Sequence, residues 1–394
     1  MTIVDLAFEL IQVALGNREK LSRMPSEKEW EGLFDFAFQQ TLVGVMLSGL
    51  ERLPDEQLPP LEVKLEWIGH VQIIEQTNRV MNQQTEEVVK RLRQDGFDCV
   101  VLKGQGLAQL YPEPLRRMSG DIDVWVWPSD GLAVRGERLA ERRDTIVKYL
   151  RSKGVNGRVV YHNVPVENWF EETEVEVHFT PSWMNNYFTN LRLQRWFSDE
   201  RLAVSEIELC TGERIPVPGI AFNAVFVLQH IYRHLFGSGI GLRQMMDYYF
   251  VLRQVSEFKV QGSKDQVSGY RLAVSDDILH HTSYILHQLH MMKFAAAVMW
   301  VLKEVMGMPE EWMLCQPNEK EGRWLLSEIL RAGNFGHYDD RIAIPENESK
   351  IHSFFRITRQ NLRLLGHFPD ETLWNPAYRA WHYCWRKVKG YPIS

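Results

Sequence analysis

Cysteine is scarce. The 394 residues hold four, Cys99, Cys210, Cys315 and Cys384, far apart and with no C-x-x-C pair. This argues against zinc ribbons, redox dithiols and a disulfide-stapled secreted module. The usage suits a reducing cytoplasm, and a cytoplasmic location is the expectation. Cys99 lies in an apolar run and reads as a buried small hydrophobe. Long apolar runs are also missing. The most apolar one, FAAAVMWVL at 294–302, is bracketed by Lys293 and Lys303. It is far short of the about 20 residues that span a bilayer, so it reads as a buried helix. The opening residues carry Asp5 and Glu9 inside their apolar stretch and no basic segment before it. No signal peptide and no membrane partner is expected. One-signed charge is lacking too: 45 Lys and Arg against 51 Asp and Glu leave −6. That balance does not favour a broad nucleic-acid surface. No internal repeat, low-complexity tract or Ser-His-acid pattern is visible.

What is present is ordinary globular usage, 45% apolar and 24% charged. A chain this long can bury a large core without staples and suggests two or three units. Three regions are read: helical 1–95, a mixed α/β region at 96–215, and helical 221–394. Residues 4–16 form a first helix. Ser26 opens SEKE, a capping box with Glu29, and helical spacing follows from Trp30 through Thr41 until Pro54, Pro59 and Pro60. A long helix runs from about Leu61 to Arg93 and ends at Asp95-Gly96.

At Phe97 the pattern changes. FDCVVLKG reads as a short buried strand running into Lys103-Gly104-Gln105-Gly106, then a short helix that stops at Pro112. DIDVWVWP has period two, with Asp121, Asp123, Trp125 and Trp127 on one face and Ile122, Val124 and Val126 on the other. Residues 131–153 read as a helix, RVVYH (158–162) and TEVEVHF (173–179) as strands joined by a loop, and AVSEIEL (203–209) as a further strand. IPVPGI (215–220) reads as an extended linker because of Pro216 and Pro218. From Ala221 the signals are mostly helical, with 339–350 loop-like, a late helix at 352–368, and no clear periodicity after it.

The chemistry concentrates at Asp121-Ile122-Asp123. Residues i and i+2 of a strand share a face, about 7 Å apart. Carboxylates there are costly core residues but can converge on a divalent cation. Magnesium takes few protein oxygens plus phosphate oxygens, the arrangement that phosphoryl and nucleotidyl transfer needs. Upstream, a glycine turn before a helix can present N–H groups of Gly104 and Gln105 to a triphosphate, with Lys103 as a neutralising cation. A third acid is expected from TEVEVHF, where Glu174, Glu176 and His178 share a face. Glu176 is central and is the first choice, Glu174 the fallback, and His178 reads as a structural histidine. His230 and His234 lie four apart on a helix but lack the glutamate of H-E-x-x-H, so they read as stacked helix-face histidines. Arg243 and Asp247, also four apart, fit an intrahelical ion pair, with Arg243 equally able to reach a triphosphate.

The string VLKGQGLAQLYPEPLRRMSGDIDVWV resembles the uncharacterised nucleotidyltransferase family whose hallmark is LKG, a Tyr-Pro, an arginine and an Asp-x-Asp strand. That family looks like a branch of the DNA-polymerase-β-type superfamily. Lys103-Gly104 and Tyr111-Pro112 match its loop and helix end, Arg117 its arginine, and Asp121 and Asp123 its metal-binding pair. EVHF (176–179) resembles its acid-x-His-aromatic strand with Glu176 as third acid. GSGIGLRQMMDYY (237–249) resembles a helical signature with Arg243 and Asp247, and GNFG (333–336) a weaker one. The resemblance is specific over 101–126. It departs from the wider superfamily at Gln105, where serine or glycine usually follows the first glycine, which bears on which nucleotide binds.

The resemblance implies an α/β (α+β) nucleotidyltransferase domain with a mixed sheet, flanked by helical regions. It implies Mg2+ or Mn2+ on Asp121, Asp123 and Glu176. The NTP would lie on Lys103, Gly104, Gln105, Arg117 and Arg243. The expected activity moves a nucleoside monophosphate to an acceptor that the sequence does not identify. The alternatives are a non-catalytic nucleotide-binding or regulatory protein of the same fold, and a toxin-like enzyme that modifies RNA or protein.

Overall fold

The computed structural model describes residues 2–129, 139–200, 204–260, 275–336, 338 and 348–391. In chain order the elements are α1 (Ile3–Leu15), α2 (Glu27–Gln39), α3 (Val43–Leu50), α4 (Leu61–Gln94), β1 (Phe97–Val101), α5 (Gln105–Ala108), β2 (Ile122–Pro128), α6 (Leu139–Ser152), β3 (Asn163–Val166), β4 (Val175–His178), α7 (Tyr187–Glu200), β5 (Val204–Glu208), β6 (Arg214–Pro218), α8 (Ile220–Leu235), α9 (Leu242–Val260), α10 (Ser275–Gln288), α11 (Met292–Met306), α12 (Glu319–Ala332), α13 (Lys350–Asn361) and α14 (Pro369–Val388). No described helix is long and apolar enough to cross a membrane.

Local chemistry sets several boundaries. At α2, the Glu29 carboxylate accepts from both the amide and the hydroxyl of Ser26, as the SEKE spacing predicts. The helical run after it does not continue to Pro54. Thr41 takes φ 53°, a left-handed backbone that breaks it into α2 and α3. His290, at φ 58°, likewise divides α10 from α11.

Three readings need correction. RVVYH at 158–162 is not a strand. The strand is β3, in the segment read as a loop, where it adds an edge to β4. IPVPGI is not a linker, since Arg214–Pro218 pairs antiparallel with β5. Pro216 and Pro218 share a parity, so both missing N–H groups fall on one edge and the other edge stays free to pair. The final segment, without a trusted period, is the 20-residue helix α14, with Pro376 inside it and Trp374, Trp381 and Trp385 on it. The reading of a helix start at 131–138, Ala203 of the strand reading and residues 339–347 of the loop reading lie outside the described residues.

The described residues gather into two units, a division that follows contacts and not chain order. One consists of Met1–Arg79, Leu107–Met118 and Asn223–Asp339, the other of Val80–Gly106, Ser119–Phe222 and Asp340–Ser394. The first is helical. The second holds a four-stranded sheet in the order β1-β2-β4-β3 and the β5-β6 hairpin. In the sheet β2 runs antiparallel to β1 and parallel to β4, and β3 is antiparallel to β4. The sheet is therefore mixed. Ile122, Val124, Val126, Val175 and Val177 pack with Ile146 and Leu150 of α6 into one core on the apolar face.

Gly157 lies under β3, where an added Cβ would stand 1.9 Å from the Pro165 carbonyl oxygen. Backbone cannot yield as a flexible side chain does. Gly157→Ala is expected to cost about 2 kcal/mol or more, read as a lower urea midpoint.

In the same unit Glu371 ties the start of α14 to the start of α7. Its carboxylate accepts from the amides of Asn185 at 2.7 Å and Asn186 at 3.1 Å, and from the Thr189 hydroxyl at 3.4 Å. Burial pushes its carboxyl up to about 7, although these donors pull the other way. The folded state thus keeps a proton that the unfolded chain releases near 4.5. This contribution to stability is complete below the unfolded value and is lost as pH rises through 7. It amounts to roughly 3 kcal/mol. Glu371→Gln is expected to flatten the fall of Tm over that window, and an unchanged profile would count against the assignment.

Candidate functional site

The parallel register of β2 and β4 builds the site. It sets Asp123 beside Glu176 and Trp125 beside His178, so residues 55 or fewer places apart become neighbours on one sheet face. β3 supplies the next row, with Asn163 opposite His178. β1 delivers the cation: it ends at Val101, Leu102 donates its amide to the Asp123 carbonyl, and Lys103 follows. Gly104 then turns with φ 58°, its absent Cβ only 3.2 Å from the Asp121 carbonyl oxygen. A side chain there would be both strained and crowded.

Asp123 is 1% exposed. A carboxylate this deep needs partners, and it has two. Lys103 Nζ lies 2.8 Å from Oδ2, and His178 Nε2 lies 2.8 Å from Oδ1. Lys103 Nζ also reaches Asp121 Oδ2 at 3.1 Å, and His178 Nε2 lies 3.2 Å from Glu176 Oε2. Asn163 Nδ2 donates to Glu176.

These contacts explain the protonation states. Burial opposes charge on His178, but the bonds to Asp123 and Glu176 outweigh it and raise its pKa to about 9. Burial also opposes charge on Glu176, while His178 and Lys103 hold its carboxyl down to about 2. Lys103 stays above the ordinary lysine value because Asp121, Asp123 and Glu176 outweigh its desolvation. Even so, three carboxylates face two cations. Glu174 registers the surplus: its carboxyl is raised by burial and then by the charges of Glu176, Asp121 and Asp123.

A divalent cation suits this donor set. Asp123, Glu176 and His178 each offer one ligand atom, and the three atoms lie within 4.8 Å of one another. The carboxylate oxygens are hard ligands suited to Mg2+ or Mn2+, and the imidazole is compatible with a transition metal. Lys103 and His178 meanwhile hold positive charge against the same oxygens.

The sequence-derived site residues fall into both units. Lys103, Gly104, Gln105, Asp121, Asp123 and Glu176 all belong to the sheet unit. Gln105 is 3% exposed, its amide donating to Asn82 and its oxygen accepting from Ser119 Oγ at 2.6 Å, so the side chain braces the loop. Arg117 and Arg243 belong to the helical unit. There Asp247 accepts from Arg117 Nε at 2.7 Å and Nη2 at 2.8 Å, and from the Tyr111 hydroxyl at 2.7 Å. Arg243 Nη1 donates to the Met118 carbonyl. His230 and His234 do meet, Nε2 to Nε2 at 3.0 Å, but their rings stand edge to face at 68° and are not stacked as their spacing predicts.

His178 is the residue that sequence reasoning undervalued. The signal was its shared parity with Glu176. Its partner Asp123 is distant in the chain, and only the register of β2 with β4 brings the two together.

A mixed sheet with an acidic face and a lysine on its entry loop, in an otherwise helical chain, defines an α+β nucleotidyltransferase domain with helical regions. The chain matches the family described as uncharacterised nucleotidyltransferase over residues 26–275, well over half its length, and belongs to that family. Comparison with curated proteins and with solved structures gave no match.

Proposed function

We propose that the chain is a metal-dependent enzyme that moves a nucleoside monophosphate from an NTP to an acceptor hydroxyl or phosphate. The observation that carries this reading is the side-by-side register of Asp123 and Glu176, with Lys103 on one oxygen of Asp123 and His178 on the other and on Glu176. Asp121, Asp123 and Glu176 would hold Mg2+ or Mn2+, and His178 could join them as a ligand only after giving up the proton that it shares with Asp123 and Glu176. When bound, that ion withdraws charge from the phosphate oxygens and offsets the repulsion between a triphosphate and an acidic pole.

The chain's own groups have separate tasks. Lys103 and the amides of Gly104 and Gln105 balance charge on the phosphates. Glu176 stays ionised near neutral pH, so it orients the attacking group by accepting its hydrogen bond. A bond forms from the acceptor oxygen to the α-phosphorus, and the bond from that phosphorus to the bridging oxygen breaks. Pyrophosphate leaves with the electron pair, and any proton on the acceptor passes to solvent.

The test is pyrophosphate release from each of the four NTPs with Mg2+ or Mn2+, with and without cell extract as an acceptor source. Release that stops with EDTA and rises with extract supports the transferase. The reading fails if there is no release and calorimetry finds no metal-dependent NTP binding. The non-catalytic alternative of binding without turnover would then be excluded as well.

A further inference from the structure

Aromatic rings lead away from the acidic face within the sheet unit. His162 stands edge-on to His178 with centroids 5.2 Å apart, and Trp183 tilts over His162 at 4.0 Å. Trp183 stacks on Tyr378 at 5.9 Å, Tyr378 on His382 at 5.7 Å, and His382 on Trp385 at 5.4 Å. Trp381, 47% exposed, stacks on Trp385 at 5.9 Å.

Positive charge borders this series. The Arg143 guanidinium lies 4.7 Å from the Trp385 centroid and 5.2 Å from that of Tyr161. One of its nitrogens donates to the Tyr161 carbonyl, while its Nε is buried with no acceptor. Arg386 is 2% exposed, and its Nε and Nη2 are buried with no acceptor. Among the described residues no carboxylate forms an ion pair with Arg143 or Arg386. Asp144, next to Arg143 in the chain, is bonded instead to Lys389 and the Tyr391 hydroxyl. Burial, then the charges of Arg386, Arg158 and Arg143, push the His382 imidazole down to about 4. Buried guanidinium groups outside any ion pair are costly, and an anionic ligand reduces that cost.

We propose that this surface binds a nucleoside phosphate, its base on the aromatics around Trp183, Tyr378 and Trp381 and its phosphate on Arg143, Arg158 and Arg386. Stacked rings beside arginines are the pairing that holds a nucleotide through base and backbone together. An amine would be repelled here, and a neutral sugar would leave the arginines unpaired. The bound nucleotide is the acceptor, an assignment that rests on the nucleotidyl-transfer reading; the binding site itself does not. The ligand is either a free mononucleotide or the end of a single-stranded RNA.

Calorimetry on the full chain in EDTA tests this with four probes: AMP, a single-stranded pentanucleotide RNA, adenosine and inorganic phosphate. Saturable binding of AMP or RNA is expected, with adenosine and phosphate each at least about 10-fold weaker. Arg158→Gln and Trp381→Ala, both at exposed positions, are each expected to weaken it by about 10-fold, and Asp123→Asn to leave it unchanged. Equal binding of AMP and RNA identifies the mononucleotide. Tighter RNA binding that falls steeply with salt identifies the nucleic-acid end. The proposal is overturned if neither nucleotide binds, if adenosine or phosphate alone binds as well, or if both substitutions leave binding intact. If the nucleotide binds as expected but accepts no nucleotidyl group, the binding site stands and the acceptor assignment falls, while pyrophosphate release with extract still decides the transfer reading.

Discussion

Asp123→Asn is expected to lower metal-dependent pyrophosphate release by more than about 100-fold, the loss that removal of even an outer partner of a catalytic metal can produce. The side chain is buried, near the start of β2, and lies within 2.8 Å of both cationic groups of the site. Asparagine keeps the shape and one acceptor oxygen but removes the charge that a divalent cation requires. Lys103 keeps Asp121, and His178 keeps Glu176, so neither cation is stranded. The variant should therefore unfold within about 1 kcal/mol of wild type in urea while losing turnover. Full activity in a well-folded Asp123→Asn protein would remove the acidic face from the mechanism. Unfolding of the variant would instead mark Asp123 as an anchor of the sheet.

Asp247→Ala is expected to destabilise the helical unit by about 3–5 kcal/mol, without any claim on catalysis. Asp247 is 6% exposed and Arg117 is 4% exposed. Burial raises the Asp247 carboxyl, but the charges of Arg117 and Arg243 and the bonds from Arg117 and Tyr111 outweigh it and hold it below the usual range. Removing it takes away the carboxylate to which both the Arg117 guanidinium and the Tyr111 hydroxyl donate. Tyr111→Phe removes one bond and no charge, so it should cost only about 1 kcal/mol. Urea midpoints for the two variants check the ordering. An Asp247→Ala midpoint close to that of Tyr111→Phe would show that the ion pair adds nothing net.

Much of the site was legible because its residues lie within single elements. The parity of Asp121 and Asp123, the glycine turn after Lys103, and the shared face of Glu174, Glu176 and His178 are local facts of a period-two backbone. Arg117 and Asp247 were each marked by the resemblance, but their meeting was not. They are 130 residues apart, and no spacing rule links an arginine in a turn to an aspartate on a helix. The spacing suggested Arg243 as the partner of Asp247, yet the bidentate bond comes from Arg117. Strand β3 was missed because Pro165 and Asn163 carry poor strand propensity, and pairing with β4 overrides it. Helix α14 was missed because aromatics on several faces blur the helical period.

By itself the sequence determined which charged groups share a strand face or a loop. Carboxylates two apart on a strand, a Lys-Gly loop and an acidic second strand keep that arrangement wherever they fold, because charge and parity belong to the residues. Tertiary structure decided how the charges pair. It set Glu176 rather than Glu174 beside Asp123, gave His178 its two acids, and joined Arg117 to Asp247. It also laid Arg143 against the rings of Tyr161 and Trp385 and buried Arg386, with no ion pair to either among the described residues. Those outcomes depend on strand register and helix docking, which the burial of apolar faces determines, and burial is a property of the whole packed unit.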